Sequence, residues 1–244
     1  MLKPTAAVGD DDHHATPVSA SPGAGVSRRS MLTASAALAG AGLASVATLA
    51  FGQQPPNLPT SDQIRGPFYP SRLPADQDAD LTVIAGQSAS ALGQVVYLSG
   101  RVIDMRGRPV ANAEIEIWQA NAAGRYTHPA DRNPAALDPN FEGYAKIRAG
   151  ADGRYSLKTV KPGAYPTPRP GWTRPPHIHF DIAGHASRLT TQMYFEGEAL
   201  NDTDPLLQQI WLKETLIAHR GAPAGGQESD ALAMVWDIVL IAGS

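Results

Sequence analysis

The run Gln94-Val95-Val96-Tyr97-Leu98-Ser99-Gly100-Arg101-Val102-Ile103-Asp104, the block Met105-Arg106-Gly107-Arg108-Pro109, and the run Ala113-Glu114-Ile115-Glu116-Ile117-Trp118-Gln119 together decide the fold. The first run alternates apolar and polar side chains, the period of a strand with one face buried. The Gly and Pro of the block mark a tight turn. The second run alternates again and puts Ile115, Ile117 and Ala113 on one face. The pattern predicts a hairpin.

The same logic extends outward. Residues 144–147 begin a strand, Ala151-Asp152-Gly153 turns it, and residues 154–160 (RYSLKTV) return. Residues 177–182 (HIHFDI) and 189–195 (LTTQMYF) read as two more strands, residues 206–217 as a short helix, and residues 233–241 as one buried closing strand. Two connections are long and irregular, residues 121–140 and the Pro-rich residues 163–176; long ordered loops in compact domains are often functional. Many short strands joined by turns predict an all-β protein, an antiparallel β-sandwich. It is expected to occupy residues 94–244, preceded by an irregular Pro-rich arm over residues 53–93.

Composition sets the outer limits. The 244 residues are 43% hydrophobic and carry a net charge of −3, with 23 Gly and 21 Pro, which suits a soluble globular chain with one sizeable core. No basic cluster outside the leader offers a footprint for nucleic acid or an anionic membrane. With no cysteine, disulfides, thiolate metal sites and Cys nucleophiles are excluded. Any metal must be held by His, carboxylate or Tyr.

Ser27-Arg28-Arg29-Ser30-Met31-Leu32, followed by an uncharged apolar run over residues 34–51, resembles a twin-arginine export signal. The run is rich in Ala, Gly, Ser and Thr, which favours a cleaved signal over a membrane anchor. Residues 1–52 are therefore expected to be removed, leaving an exported periplasmic or extracellular protein without a stable membrane anchor. Lys3, Arg28 and Arg29 balance Asp10, Asp11 and Asp12, so the remainder keeps the charge of −3.

His177-Ile178-His179 is the sharpest local signal. In a strand, residues i and i+2 share a face, so both imidazoles can meet one metal while Ile178 points the other way. A pair of polar residues on a solvated face has the same pattern, and the spacing alone does not choose between them. Arg174-Pro175-Pro176 stiffens the approach to the pair.

Five blocks then occur in order: residues 115–126 (IEIWQANAAGRY), 138–141 (DPNF), 161–166 (KPGAYP), 174–180 (RPPHIHF) and 191–197 (TQMYFEG). They resemble the successive blocks of the intradiol ring-cleaving dioxygenases, with order and spacing close to those of protocatechuate 3,4-dioxygenase subunits. The resemblance implies a ferric ion held in the long loops of the sandwich, with Tyr126 and His179 equatorial and Tyr165 and His177 axial. Hard phenolate oxygens suit Fe(III), and neutral imidazoles complete the sphere without excess charge. It also implies that Arg174 stabilises charge developing on the substrate, that Gln192 hydrogen-bonds toward the same pocket, and that Tyr165 gives way to the substrate and serves as proton acceptor. The partners it implies are a small catechol and O2, with cleavage between the hydroxyl-bearing carbons to a muconate-type product; a homo-oligomer is compatible with it. Tyr97, Tyr144, Tyr155 and Tyr194 lie in strand patterns and read as core or interface residues.

The chain departs from the pattern at Thr167, where the protocatechuate enzymes often carry an aromatic residue. It shows no counterpart of the amino-terminal helical segment of catechol 1,2-dioxygenases. Two other readings stand beside the enzyme: an exported binding module with a structural His pair, and a zinc hydrolase, for which a third His and a helical Glu base are not evident.

Overall fold

The computed structural model describes residues 57–242. The expected signal and its cleavage point lie outside them. Among the described residues eleven strands run in chain order: β1 Val95–Asp104, β2 Glu114–Trp118, β3 Tyr144–Arg148, β4 Arg154–Val160, β5 Tyr165–Pro166, β6 Thr173–Arg174, β7 His177–Ala183, β8 Arg188–Phe195, β9 Ile217–Arg220, β10 Leu232–Val235 and β11 Ile238–Leu240. One half of the sheet is β3-β2-β7-β8, all antiparallel. The other is built on β1, paired with β4, β10 and β11. Strand β9 pairs with both β8 and β10, so the two halves join along one side and the sandwich curls toward a barrel. The all-β class read from the sequence holds; within it, the β1–β10, β1–β11 and β8–β9 pairings are parallel.

Alternation builds the core. Ile115 and Ile117 of β2 and Ile178, Phe180 and Ile182 of β7 are fully buried in one cluster with Val96 and Leu98 of β1. Each such side chain removed from water contributes about 1.5–3 kcal/mol. The intervening residues of β7, His177, His179 and Asp181, face away from that cluster and are also buried. The second face of the sheet is thus covered, and the site lies there.

Two elements differ from expectation. Over residues 206–217 the structure forms only α1, Pro205–Gln208, and later a 3-10 turn, Lys213–Leu216. The buried apolar positions Leu207 and Leu216 and the exposed Trp211 do not keep to one helical face, so continued helix would bury nothing more. The closing strand is two strands, β10 and β11, which pair with successive stretches of β1. Between them the Trp236 amide donates to Ser99 O, Asp237 Oδ1 accepts the Arg101 amide, and a Cβ on Gly100 would stand 1.8 Å from Trp236 O. The ladder breaks where Trp236 crosses against the only residue type that leaves it room.

Residues 57–94 contain no strand with more than an isolated bridge and run over the domain in turns. Among the described residues no helix is long and apolar enough to cross a membrane.

Candidate metal centre

Strand register puts the two histidines together. On β7, His179 is paired with Trp118 of β2 on one side and Gln192 of β8 on the other, and His177 is paired with Tyr194. The Trp118 indole lies flat on the His179 ring, centroids 5.0 Å apart and planes at 8°. His177 is anchored by Nδ1 donating to Pro175 O at 2.7 Å, so its Nε2 carries the lone pair.

The tyrosines arrive on the two long loops. The residue 119–143 connection is wound around Asn121, whose side-chain oxygen accepts the amides of Ala123 and Arg125 at 2.9 and 3.0 Å; the Tyr126 amide donates to Asp131 Oδ2 at 2.7 Å. Tyr165 stands on β5, opposite Arg174 on β6. The loops meet backbone to backbone at two glycines. A Cβ on Gly124, which has φ of +79°, would stand 2.5 Å from Ala164 O, and one on Gly163 would stand 2.5 Å from both Ala122 O and Gly124 N. No other residue permits this approach.

Four donors converge. Tyr126 Oη is 3.1 Å from His179 Nε2 and 3.5 Å from His177 Nε2, and Tyr165 Oη is 3.4 Å from His177 Nε2. Donors at right angles on one ion with bonds of about 2 Å stand about 3 Å apart, so the spacing fits a single ion. Both phenols and both imidazoles are buried. Burial, then Arg174, then His179, hold His177 well below its usual pKa; burial, then Arg174, bring His179 down to about 3. Both rings are neutral. Burial and the neighbouring Tyr165 push Tyr126 far above the ordinary phenol range, and burial raises Tyr165 against the pull of Arg174. The phenols ionise only if a cation joins them. Among the described residues no group of three or more His, Asp or Glu is placed to hold a metal, so a metal here depends on the phenols.

Arg174 and Gln192 border the donors. Arg174 Nη2 donates to Gln192 Oε1 at 2.7 Å and to Tyr194 Oη at 2.9 Å, and its Nε is 3.2 Å from Asp204 Oδ1. Gln192 also donates through Nε2 to Ile64 O at 2.8 Å, tying the amino-terminal arm to the site. Phe68 of that arm packs 4.7 Å from the Tyr126 ring, and a Cβ on Gly66 would stand 3.1 Å from His179 Cε1.

The structure therefore gathers every residue singled out in the sequence: Tyr126, Tyr165, His177, His179, Arg174 and Gln192. Three more belong to the cluster and were not assigned to it. Tyr194 read as core, although its place two residues after Gln192 puts it on the same strand face. Trp118 carried only its strand pattern. Asp204 gave no local signal, since only the fold brings it to Arg174.

Residues 64–242 match the family model described as Dioxygenase. The chain is 42% identical over 197 residues to the protocatechuate 3,4-dioxygenase beta chain of Burkholderia cepacia, covering 78% of this chain and 83% of that one. To the alpha chain from the same organism it is 33% identical, covering 68% and 86%. Among solved structures it resembles the dioxygenase domain of a dioxygenase carbohydrate-binding protein fusion from the cellulolytic bacterium Streptomyces sp. SirexAA-E, with a TM-score of 0.55, 28% identity and coverage of 75% and 97%. It also resembles 3-chlorocatechol 1,2-dioxygenase from Rhodococcus opacus 1CP, with a TM-score of 0.59, 25% identity and coverage of 75% and 73%.

Proposed function

The chain belongs to the intradiol ring-cleaving dioxygenase family, and from that membership we propose that it holds one ferric ion with Tyr126, Tyr165, His177 and His179 and opens a catechol-type ring between its two hydroxyl-bearing carbons with O2. The observation that carries this reading is the convergence of two buried phenols on two neutral imidazoles at 3.1 to 3.5 Å. A binding module with a structural His pair has no use for those phenols, and a zinc hydrolase would need a third His or carboxylate.

Fe(III) bound there would keep the phenolates ionised and draw electron density from a catecholate substrate, which is what makes the ring reactive toward O2. The remaining work falls to the chain. Tyr165, on the short β5–β6 hairpin, would be the residue that gives way to substrate and takes a proton from an incoming catechol hydroxyl. Arg174 is a buried cation; burial opposes its charge, but the phenols of Tyr194 and Tyr165 and the Asp204 carboxylate outweigh that. Gln192 and Tyr194 occupy Nη2 and Asp204 faces Nε. Nη1 is left to meet negative charge that grows on the ring, at a buried position where that charge is weakly screened. Phe68 and Trp118 close the apolar side.

The substrate class is a catechol. 3,4-Dihydroxybenzoate and unsubstituted catechol are both in scope, because the aromatic residue common after the Tyr-Pro pair is here Thr167. The twin-arginine pattern supports an exported enzyme that would act on catechols arising outside the cytoplasm, and we extend the reading to a homo-oligomer. Oxygen uptake and product analysis with the two catechols, alongside iron content, test the proposal. Stoichiometric uptake with a muconate-type product is expected; iron-loaded protein inert toward both would overturn it.

A further inference from the structure

The hairpin that carries Tyr165 cannot hold its own position. Its two strands, β5 and β6, are two residues each, with register pairs Tyr165 to Arg174 and Pro166 to Thr173, and residues 168–171 at its tip are exposed. A ribbon of that size is marginal in water by itself. Its placement depends on ties to the body, and at the tip the tie is made by Trp172, whose indole Nε1 donates to Asp204 Oδ1 at 3.0 Å. The same oxygen lies 3.2 Å from Arg174 Nε, at the hairpin's base. One carboxylate oxygen thus reaches both ends of the returning strand.

Asp204 is itself fixed. It is fully buried, and its carbonyl accepts the Leu207 and Gln208 amides that start α1, at 3.1 and 2.9 Å. Its other oxygen, Oδ2, is buried with no hydrogen bond. A buried carboxylate so poorly solvated is retained only against a cation, and Arg174 is that cation. Within the hairpin, the Thr167 amide donates to Trp172 O at 2.9 Å and the Trp172 amide to Arg169 O at 3.2 Å, so a hold on the indole is transmitted to the turn.

We propose that Asp204 and Trp172 are positioning residues that latch the Tyr165–Arg174 hairpin to α1, setting where Tyr165 stands and how far it can swing when a catechol enters. The catalytic consequence rests on the proposed iron-dependent function; the latch itself does not. Loosening it leaves Tyr126, His177 and His179 in place but lets the strand bearing Tyr165 wander, so the step that requires Tyr165 to leave and accept a proton is affected more than ground-state binding.

Hydrogen–deuterium exchange of the full chain, with steady-state kinetics, tests this in Trp172→Phe, which keeps an aromatic side chain, though a smaller one, and removes the N–H, and in Asp204→Asn. Asp204→Asn leaves Arg174 without its counter-charge and is open to misfolding, so Trp172→Phe decides the matter. In Trp172→Phe the Thr167 and Trp172 amides should exchange about tenfold faster while β1 and β4 keep wild-type protection. Turnover should fall about tenfold, with KM for catechol changed by less than about threefold, and the visible band of the loaded enzyme should shift. Unchanged exchange in the hairpin, or a rise spread evenly over the domain, overturns the latch; faster hairpin exchange with wild-type turnover and spectrum overturns its positioning role. A wild-type protein that cleaves no catechol would refute the proposed function, while the exchange comparison would still decide whether the latch exists.

Discussion

Trp118 lies parallel to His179 at 5.0 Å because the two are cross-strand partners of β2 and β7, and the pair is 1% and 2% exposed. The indole therefore sets the plane in which His179 presents Nε2. Trp118→Leu should cost about 3 kcal/mol of stability from the lost volume and lower retained iron, because the imidazole gains freedom to turn. Urea unfolding and metal content measured on the same preparation check both effects.

Gly124 and Gly163 bring the loops of Tyr126 and Tyr165 into backbone contact. Gly124→Ala adds a Cβ at a φ of +79° and 2.5 Å from Ala164 O, a combination worth about 1–3 kcal/mol of strain. The variant should melt at lower temperature and lose iron during dialysis against a chelator faster than wild type. Wild-type stability and iron retention would show that the loops have room to part.

Removal of the Arg174 charge has two costs. As an aid to developing negative charge its loss should slow turnover by about 2–4 kcal/mol, but it also strands Asp204 as a buried, uncompensated carboxylate, worth about 3–5 kcal/mol of stability. Arg174→Met should therefore be both slow and poorly folded. Combining it with Asp204→Asn should recover stability and not turnover. A double variant that regains turnover would place the role of Arg174 in folding alone.

Glu142 predicts a pH effect on stability. Burial, then the carboxylates of Asp76 and Asp78, push its pKa from 4.5 up to about 7. A carboxyl raised in the folded state binds more protons folded than unfolded between those values, so stability is lost as pH rises from about 4.5 to 7 and stays lower above. Glu142→Gln should raise the melting temperature at pH 8, with the gain shrinking as pH falls toward 4.5. Melting curves across that range check the sign.

The sequence carried the strands wherever burial alternates, as in residues 94–119, and the candidate site wherever its side chains share a strand face, as at His177 and His179. It could not show the break between β10 and β11. Met234, Trp236 and Ile238 are buried while Val235 and Asp237 are exposed, so the period runs through the gap, and only the contact of Trp236 with Gly100 reveals it. Tyr126 and Tyr165 were legible through the resemblance of their blocks, not through periodicity. Asp204 was illegible because its partners Trp172 and Arg174 lie about thirty residues away and meet it only through the fold.

In the proposed function two phenolates and two imidazoles hold one iron. Resonance Raman spectroscopy of freshly purified protein, excited in its visible band and paired with iron quantitation, tests it most directly. About one iron per chain with phenolate modes, diminished in Tyr126→Phe and in Tyr165→Phe, is the predicted result. Protein from iron-replete growth that is colourless and holds only zinc, or iron-loaded protein without phenolate modes, would contradict it.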